Sequence, residues 1–261
     1  MQETLSGFKT AQRLAYDTVL EVKEVLRPGM TEIDAARLLA ETLNSKGIID
    51  WFHTPLAWFG ERTRFDKMKG FRDFLPSRKT LRETDVVILD IAPLVDGFIG
   101  DVGYTYSVLP NAELDAAKLL LRKIRSCLPD LFVQKQDLGQ VWQEVDCILK
   151  NEGYDNCYRL YPFSVLGHKI TKLTVHGVFG KNRLRIPLSY MSWFGFSAYD
   201  FFLRKGISSN LLQKNSSQDR VGLWAIEPHL GSHGFGAKFE EILVVDRDRS
   251  YWLTDDVPHF S

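Results

Sequence analysis

Neither sign of charge prevails in this sequence: 33 lysines and arginines face 33 aspartates and glutamates, and the formal net charge is +0. A nucleic acid or an anionic membrane would find no long-range field to draw it in, so neither is expected as a partner. Cysteine is scarce. Cys127, Cys147 and Cys157 are odd in number and lie far apart. That excludes a disulfide framework and a zinc knuckle, and reads as reduced thiols in a cytoplasmic protein. No apolar run approaches the roughly 18 residues of a membrane span. The opening MQETLSGFKTAQRLAYDTVLEV lacks the basic start and apolar core of a signal peptide. No stretch is rich enough in Pro, Gly or Ser to act as a linker, so residues 1–261 read as one domain, with no additional N-terminal domain. Such a length buries a large core without staples.

What is present is a change of period along the chain. Phe8, Leu14, Val19 and Val22 recur at helical spacing, which predicts an amphipathic helix over residues 5–26, ended by Arg27-Pro28-Gly29. Thr31 is a candidate N-cap for a second helix over 32–46 that stops at Gly47. The run from Asp85 to Pro93 is rich in β-formers and precedes the turn signal Asp96-Gly97, with 98–108 as its hairpin partner. Two further helices are expected over 112–127 and 138–152. Residues 160–261 read as strand-rich, and the polar stretch 204–219 as a mobile loop. The whole reads as an α+β fold, helices laid against a curved antiparallel sheet. Trp51, Phe52, Trp58 and Phe59 form an aromatic cluster, read as core, with a pocket wall as the alternative.

Chemistry is announced by acids in the wrong places. Asp90 sits between Leu89 and Ile91, Glu227 follows Trp224-Ala225-Ile226, and Glu240 opens the apolar run Ile242 to Val245. A carboxylate in such a strand is buried, and a buried charge is costly without a partner of opposite sign. Asp101, eleven residues after Asp90, can reach the same face across the hairpin. His168 follows Gly167, where the backbone can be closely approached. Four acids and one imidazole suit Mn²⁺, Fe²⁺, Co²⁺ or Zn²⁺, and carry enough charge for two such ions.

The order Asp, Asp, His, Glu, Glu resembles the pita-bread metallopeptidase superfamily, which includes methionine aminopeptidases, aminopeptidase P, prolidase and creatinase. The matching segments are LDIAPLVDGFIGDVGYTY (89–106), LGHKITKLTVHG (166–177), AIEPHL (225–230) and GAKFEEILVV (236–245), with RPGMTEIDAARLLAETL (27–43) as an early helical turn. The likeness runs from about residue 5 to 245 and is strongest to a short branch described as Xaa-Pro aminopeptidase-like. It implies a pita-bread fold and a pair of divalent ions. Asp90, Asp101, His168, Glu227 and Glu240 would be the ligands, Asp101 and Glu240 bridging. Glu227 would also relay a proton, and His176 would hold the substrate carbonyl or its oxyanion. His53 and His229 are further candidates for substrate binding.

The sequence departs from that pattern in three places. Lys169-Ile170-Thr171 stands where the family has Gly-Ile-Gly after the ligand histidine, and His176 follows His168 by eight residues instead of seven. The histidine expected some seventeen or eighteen residues before Asp90 is missing, which leaves His53 or His176 to take its place. The expected activity is that of an aminopeptidase or dipeptidase of Xaa-Pro type, on a small peptide or other small molecule, in a possible homodimer. Two alternatives are a non-peptidase enzyme cleaving a C–N bond of a specialised metabolite, and a non-catalytic binding module.

Overall fold

The structure, a computed structural model, describes residues 2–135, 137–173, 210–216 and 219–260. Helix α1 spans Gln2–Val25 and α2 Glu32–Ser45. Between them Thr31 caps α2 as expected: its hydroxyl accepts from the Asp34 N–H, and the Asp34 carboxylate accepts from the Thr31 N–H, a reciprocal box. Strands β1 (Leu56–Phe59), β2 (Val86–Ile91) and β5 (Val102–Ser107) form one antiparallel sheet with β2 in the middle. The expected hairpin forms, tipped by the short pair β3 (Leu94–Val95) and β4 (Phe98–Ile99). At its turn Asp96 and Gly97 both have positive φ, the conformation a two-residue hairpin requires.

Helix α3 spans Ala112–Gln134 and α4 Leu138–Asn151. The first corrects the expectation of an end at Cys127. Leu121, Ile124, Leu128 and Phe132 continue the buried stripe past Pro129. Proline at 129 removes the bond to the Arg125 carbonyl, and that carbonyl instead accepts from the Trp252 indole N–H at 2.9 Å. The break is thus repaired from a distant strand.

The second half contributes β6 (Asp155–Asn156), β7 (Gly167–Ile170), β8 (Leu211–Leu212), β9 (Gly222–Ile226), β10 (His229–Gly231), β11 (Gly236–Lys238), β12 (Glu241–Val245) and β13 (Ser250–Trp252). One sheet has the order β13-β12-β9-β7-β8 and a smaller one β11-β10-β6. The stretch 204–219 was expected to be a polar loop. Within its described part, Leu211 and Leu212 instead form a buried edge strand against β7, because two adjacent leucines have a hydrophobic edge to cover.

Two cores flank the sheets. Tyr16, Val19, Leu39 and Leu43 pack on Val87, Leu89 and Ile91. Leu121, Ile124, Leu128 and Val145 pack on Trp224, Ile226, Leu243 and Val245. Strand alternation sends Asp90, between Leu89 and Ile91, and Lys238, between Ala237 and Phe239, to the opposite face. That face, between the two layers, is where the site forms.

Candidate metal centre

Asp90 lies on β2 opposite Gly103, and Asp101 stands two residues before Gly103, just ahead of β5. His168 is on β7, paired with Ala225. Glu227 follows β9, its N–H donating to the Leu166 carbonyl at 2.8 Å. Glu240 sits at the bend between β11 and β12, its N–H donating to the Gly103 carbonyl at 3.1 Å. All five side chains line one cavity of about 510 Å³. Asp90, Asp101, Glu227 and Glu240 are all buried.

The sequence reading missed the residue at the centre of this group. Lys238 is 2% exposed. Its ammonium donates to Asp90 Oδ2 at 2.7 Å, Glu227 Oε2 at 2.8 Å and Glu240 Oε2 at 3.0 Å, using all three of its protons. Gly103 makes this possible, since a Cβ there would lie 2.3 Å from Lys238 Cε. A signal existed: Lys238 precedes Glu240 by two residues, so the two share a strand face.

His53, expected as a substrate contact, also enters the site. The Phe52 N–H donates to the Ala92 carbonyl, which holds this segment beside the end of β2. His53 Nε2 lies 3.3 Å from Asp90 Oδ1 and 3.5 Å from Asp101 Oδ1. On the other side of the cluster, His168 Nε2 lies 3.1 Å from Asp101 Oδ2. The Phe52 ring stacks on His168.

The charges do not balance without help. Burial opposes ionisation of Asp90, but Lys238 and His53 hold its carboxyl below the usual range. Burial likewise opposes ionisation of Asp101, and His168 and His53 pull it down. For Glu240, burial and then the Asp101 and Glu227 charges push the carboxyl well up. Burial also raises Glu227, against the pull of Lys238. Against the effect of burial, the carboxylates raise His53, His168 and Lys238. A site in which burial and crowded negative charge raise both glutamates is suited to a stronger cation.

Other observations fit a divalent ion. Among the described residues, Asp90 Oδ1 and Asp101 Oδ1 are buried with no hydrogen-bond partner. Two triads place one donor atom per residue within 4.8 Å of one another: His53, Asp90 and Asp101, and Asp101, His168 and Glu240. Carboxylate and imidazole donors in this mixture suit Mn, Fe, Co or Zn.

The remaining expected residues lie elsewhere. His229 is fully buried behind Tyr161, whose hydroxyl is 3.0 Å from His229 Nδ1. Burial and then Lys238 push its pKa well down, so the ring is neutral. His229 does not line the cavity, whereas Tyr161 does. His176 falls outside the described residues. The aromatic cluster divides: Phe52 and Trp58 line the cavity, Phe59 packs in the core under α1 and α2, and Trp51 packs at its margin. Phe65 and Phe74 complete an aromatic wall that the sequence reading did not assign.

Comparison with known proteins agrees with this geometry. Residues 6–247 match the model of metallopeptidase family M24. Among solved structures, the chain is similar to an X-Pro aminopeptidase from Thermotoga maritima MSB8, with a TM-score of 0.69 and 15% identity, covering 99% of this chain and 62% of that one. It is also similar to a prolidase from Pyrococcus furiosus, with a TM-score of 0.68 and 15% identity over 99% and 65%. A methionine aminopeptidase from Rickettsia prowazekii gives 0.61 and 14%, over 97% of both chains. The chain therefore spans less than two thirds of the length of the first two. No curated protein matches its sequence. The fold is the pita-bread fold, and with a family match over nearly its whole length this chain belongs to metallopeptidase family M24.

Proposed function

We propose that this protein hydrolyses short peptides as a metal-dependent aminopeptidase or dipeptidase of Xaa-Pro type, with two divalent ions held by Asp90, Asp101, His168, Glu227 and Glu240. One observation carries the reading. Asp101 turns one oxygen toward His53 and Asp90 and the other toward His168, so a single carboxylate joins two donor triads. Divalent ions held there would polarise a scissile carbonyl and lower the pKa of water.

The chain's own residues supply the rest. Glu227, its carboxyl raised by burial, is suited to carry a proton from water to the leaving nitrogen. Phe52, Leu56, Trp58, Phe65 and Phe74 give the cavity an apolar wall that fits a hydrophobic or prolyl side chain and excludes water around it. His229 acts as a positioning residue that orients Tyr161 toward the cavity. His176 remains our assignment for the group that holds the substrate carbonyl.

The test is a panel of Xaa-Pro and Met-Xaa dipeptides assayed with Mn²⁺ and with chelator. Hydrolysis should require metal. Glu227→Gln should retain the fold and lose at least about 10²-fold in kcat, the size of a general acid–base contribution. Wild-type turnover by that variant on a cleaved dipeptide would overturn the assignment.

A further inference from the structure

His53 lies 37 residues before Asp90 in the chain, yet its ring points into the carboxylate cluster. Its Nδ1 is 2.9 Å from the Thr54 carbonyl. A carbonyl only accepts, so Nδ1 carries the proton and donates it there. In a neutral ring Nε2 then presents a lone pair, and it does so toward Asp90 Oδ1 and Asp101 Oδ1. Among the described residues, those two oxygens are buried and have no well-aligned hydrogen-bond donor. One imidazole nitrogen and two carboxylate oxygens therefore converge within coordinating reach of one another.

The spacing is that of a coordination shell. Bonds of about 2.0–2.2 Å to nitrogen and oxygen place two ligands of a tetrahedral ion about 3.3–3.6 Å apart. The two distances from His53 Nε2 are 3.3 and 3.5 Å. The carbonyl bond at Nδ1 is also the outer contact that metal-bound histidines use to fix tautomer and orientation. Lys238 does not compete for these atoms, because it binds Asp90 through Oδ2 and does not touch Asp101.

We infer that His53 is a metal ligand: through Nε2 it joins Asp90 Oδ1 and Asp101 Oδ1 in holding one divalent ion, beside the other that Asp101, His168, Glu227 and Glu240 would hold. This rests on the reading of the site as a two-ion centre. The Xaa-Pro aminopeptidase-like reading of the sequence assigned five ligands and left His53 to the substrate; here it is a sixth.

The alternative for the same geometry is a protonated ring that clamps two carboxylates, and the two arrangements respond oppositely to substitution. Purified wild-type protein and His53→Ala are loaded with Mn²⁺, dialysed, and analysed for bound metal. Wild type should hold two equivalents and His53→Ala one, the lost ion binding at least about 10-fold more weakly. A clamp would give two equivalents in the variant, bound as tightly or more tightly, and would overturn the inference while leaving the metal centre intact. No metal in either protein would overturn both. His53→Cys loaded with Co²⁺ provides the second readout. A thiolate on the ion gives a near-ultraviolet sulfur-to-cobalt charge-transfer band; its absence in a folded, cobalt-loaded variant would equally overturn the inference.

Discussion

Lys238→Met removes the positive charge on which three buried carboxylates depend, and its cost can be worked from the site. Without the ammonium, Asp90, Glu227 and Glu240 lose donors at 2.7, 2.8 and 3.0 Å. The metal-free protein then has two options. It can keep the bare charge, at about 3–5 kcal/mol for a broken buried ion pair. It can instead carry one more proton on a glutamate whose ordinary pKa is 4.5. At about 1.36 kcal/mol per unit, holding that proton at pH 7 costs about 3.4 kcal/mol, and at pH 6 about 2 kcal/mol. Protonation costs about as much as the bare charge at pH 7 and less below it, so the loss of stability should shrink as pH falls. At about 2–4 °C per kcal/mol for a chain near this size, the shift at pH 7 is about 7–14 °C in Tm. The assay is urea denaturation of both proteins in chelator at pH 6, 7 and 8. Saturating Mn²⁺ should return much of the loss, since a ligand at 100 times its Kd adds about 2.7 kcal/mol. A loss below about 1 kcal/mol, or one that does not change with pH, would refute the reasoning.

Two other substitutions probe the frame around the site. Gly100→Ala would place a Cβ 2.2 Å from the Ala11 carbonyl oxygen, backbone against backbone. Either α1 or Asp101 must move, so we expect at least about 1–3 kcal/mol of destabilisation together with weaker metal binding; a thermal melt and a Mn²⁺ titration check both. Glu241 is buried, held by three bonds from Arg125 and by His259 Nε2 at 2.8 Å, and these partners lower its pKa against the effect of burial. A folded-state pKa below the ordinary 4.5 supplies stability that is complete above that value and is lost as pH falls past it. Glu241→Gln should therefore cost about 3–5 kcal/mol at pH 7, with the difference from wild type narrowing below about pH 4.5 in urea melts.

Most of the candidate site could be read from the chain because a carboxylate inside an apolar strand needs a counter-charge wherever it folds. Asp90, Glu227 and Glu240 announce themselves in that way, and the hairpin turn at Asp96-Gly97 carries Asp101 to the same face. Lys238, which escaped, and the closeness to Asp90 of His53, which was expected only to touch substrate, depend on pairing across the fold. His53 reaches Asp90 because β1 runs antiparallel to β2, with Leu56 opposite Asp90, and the intervening segment hides that closeness from any count along the chain. Lys238 stood inside the GAKFEEILVV segment with no role assigned to it. Only its place opposite the side-chain-free Gly103 lets the stem pass inward. Helix α3 outran its expected end because the carbonyl that Pro129 frees finds its donor in Trp252, more than a hundred residues away. Local propensity carried no trace of that bond.

Calorimetric titration of Mn²⁺ into metal-free wild type and into Asp101→Asn goes to the centre of the matter. Wild type should bind two ions and release protons, seen as a heat that varies with the ionisation enthalpy of the buffer, because the metal competes with protons for glutamates and a histidine whose pKa the site raises. Asp101 belongs to both triads, so the Asn variant should lose both binding events together. Two ions bound by Asp101→Asn as tightly as by wild type would contradict a centre joined through that carboxylate.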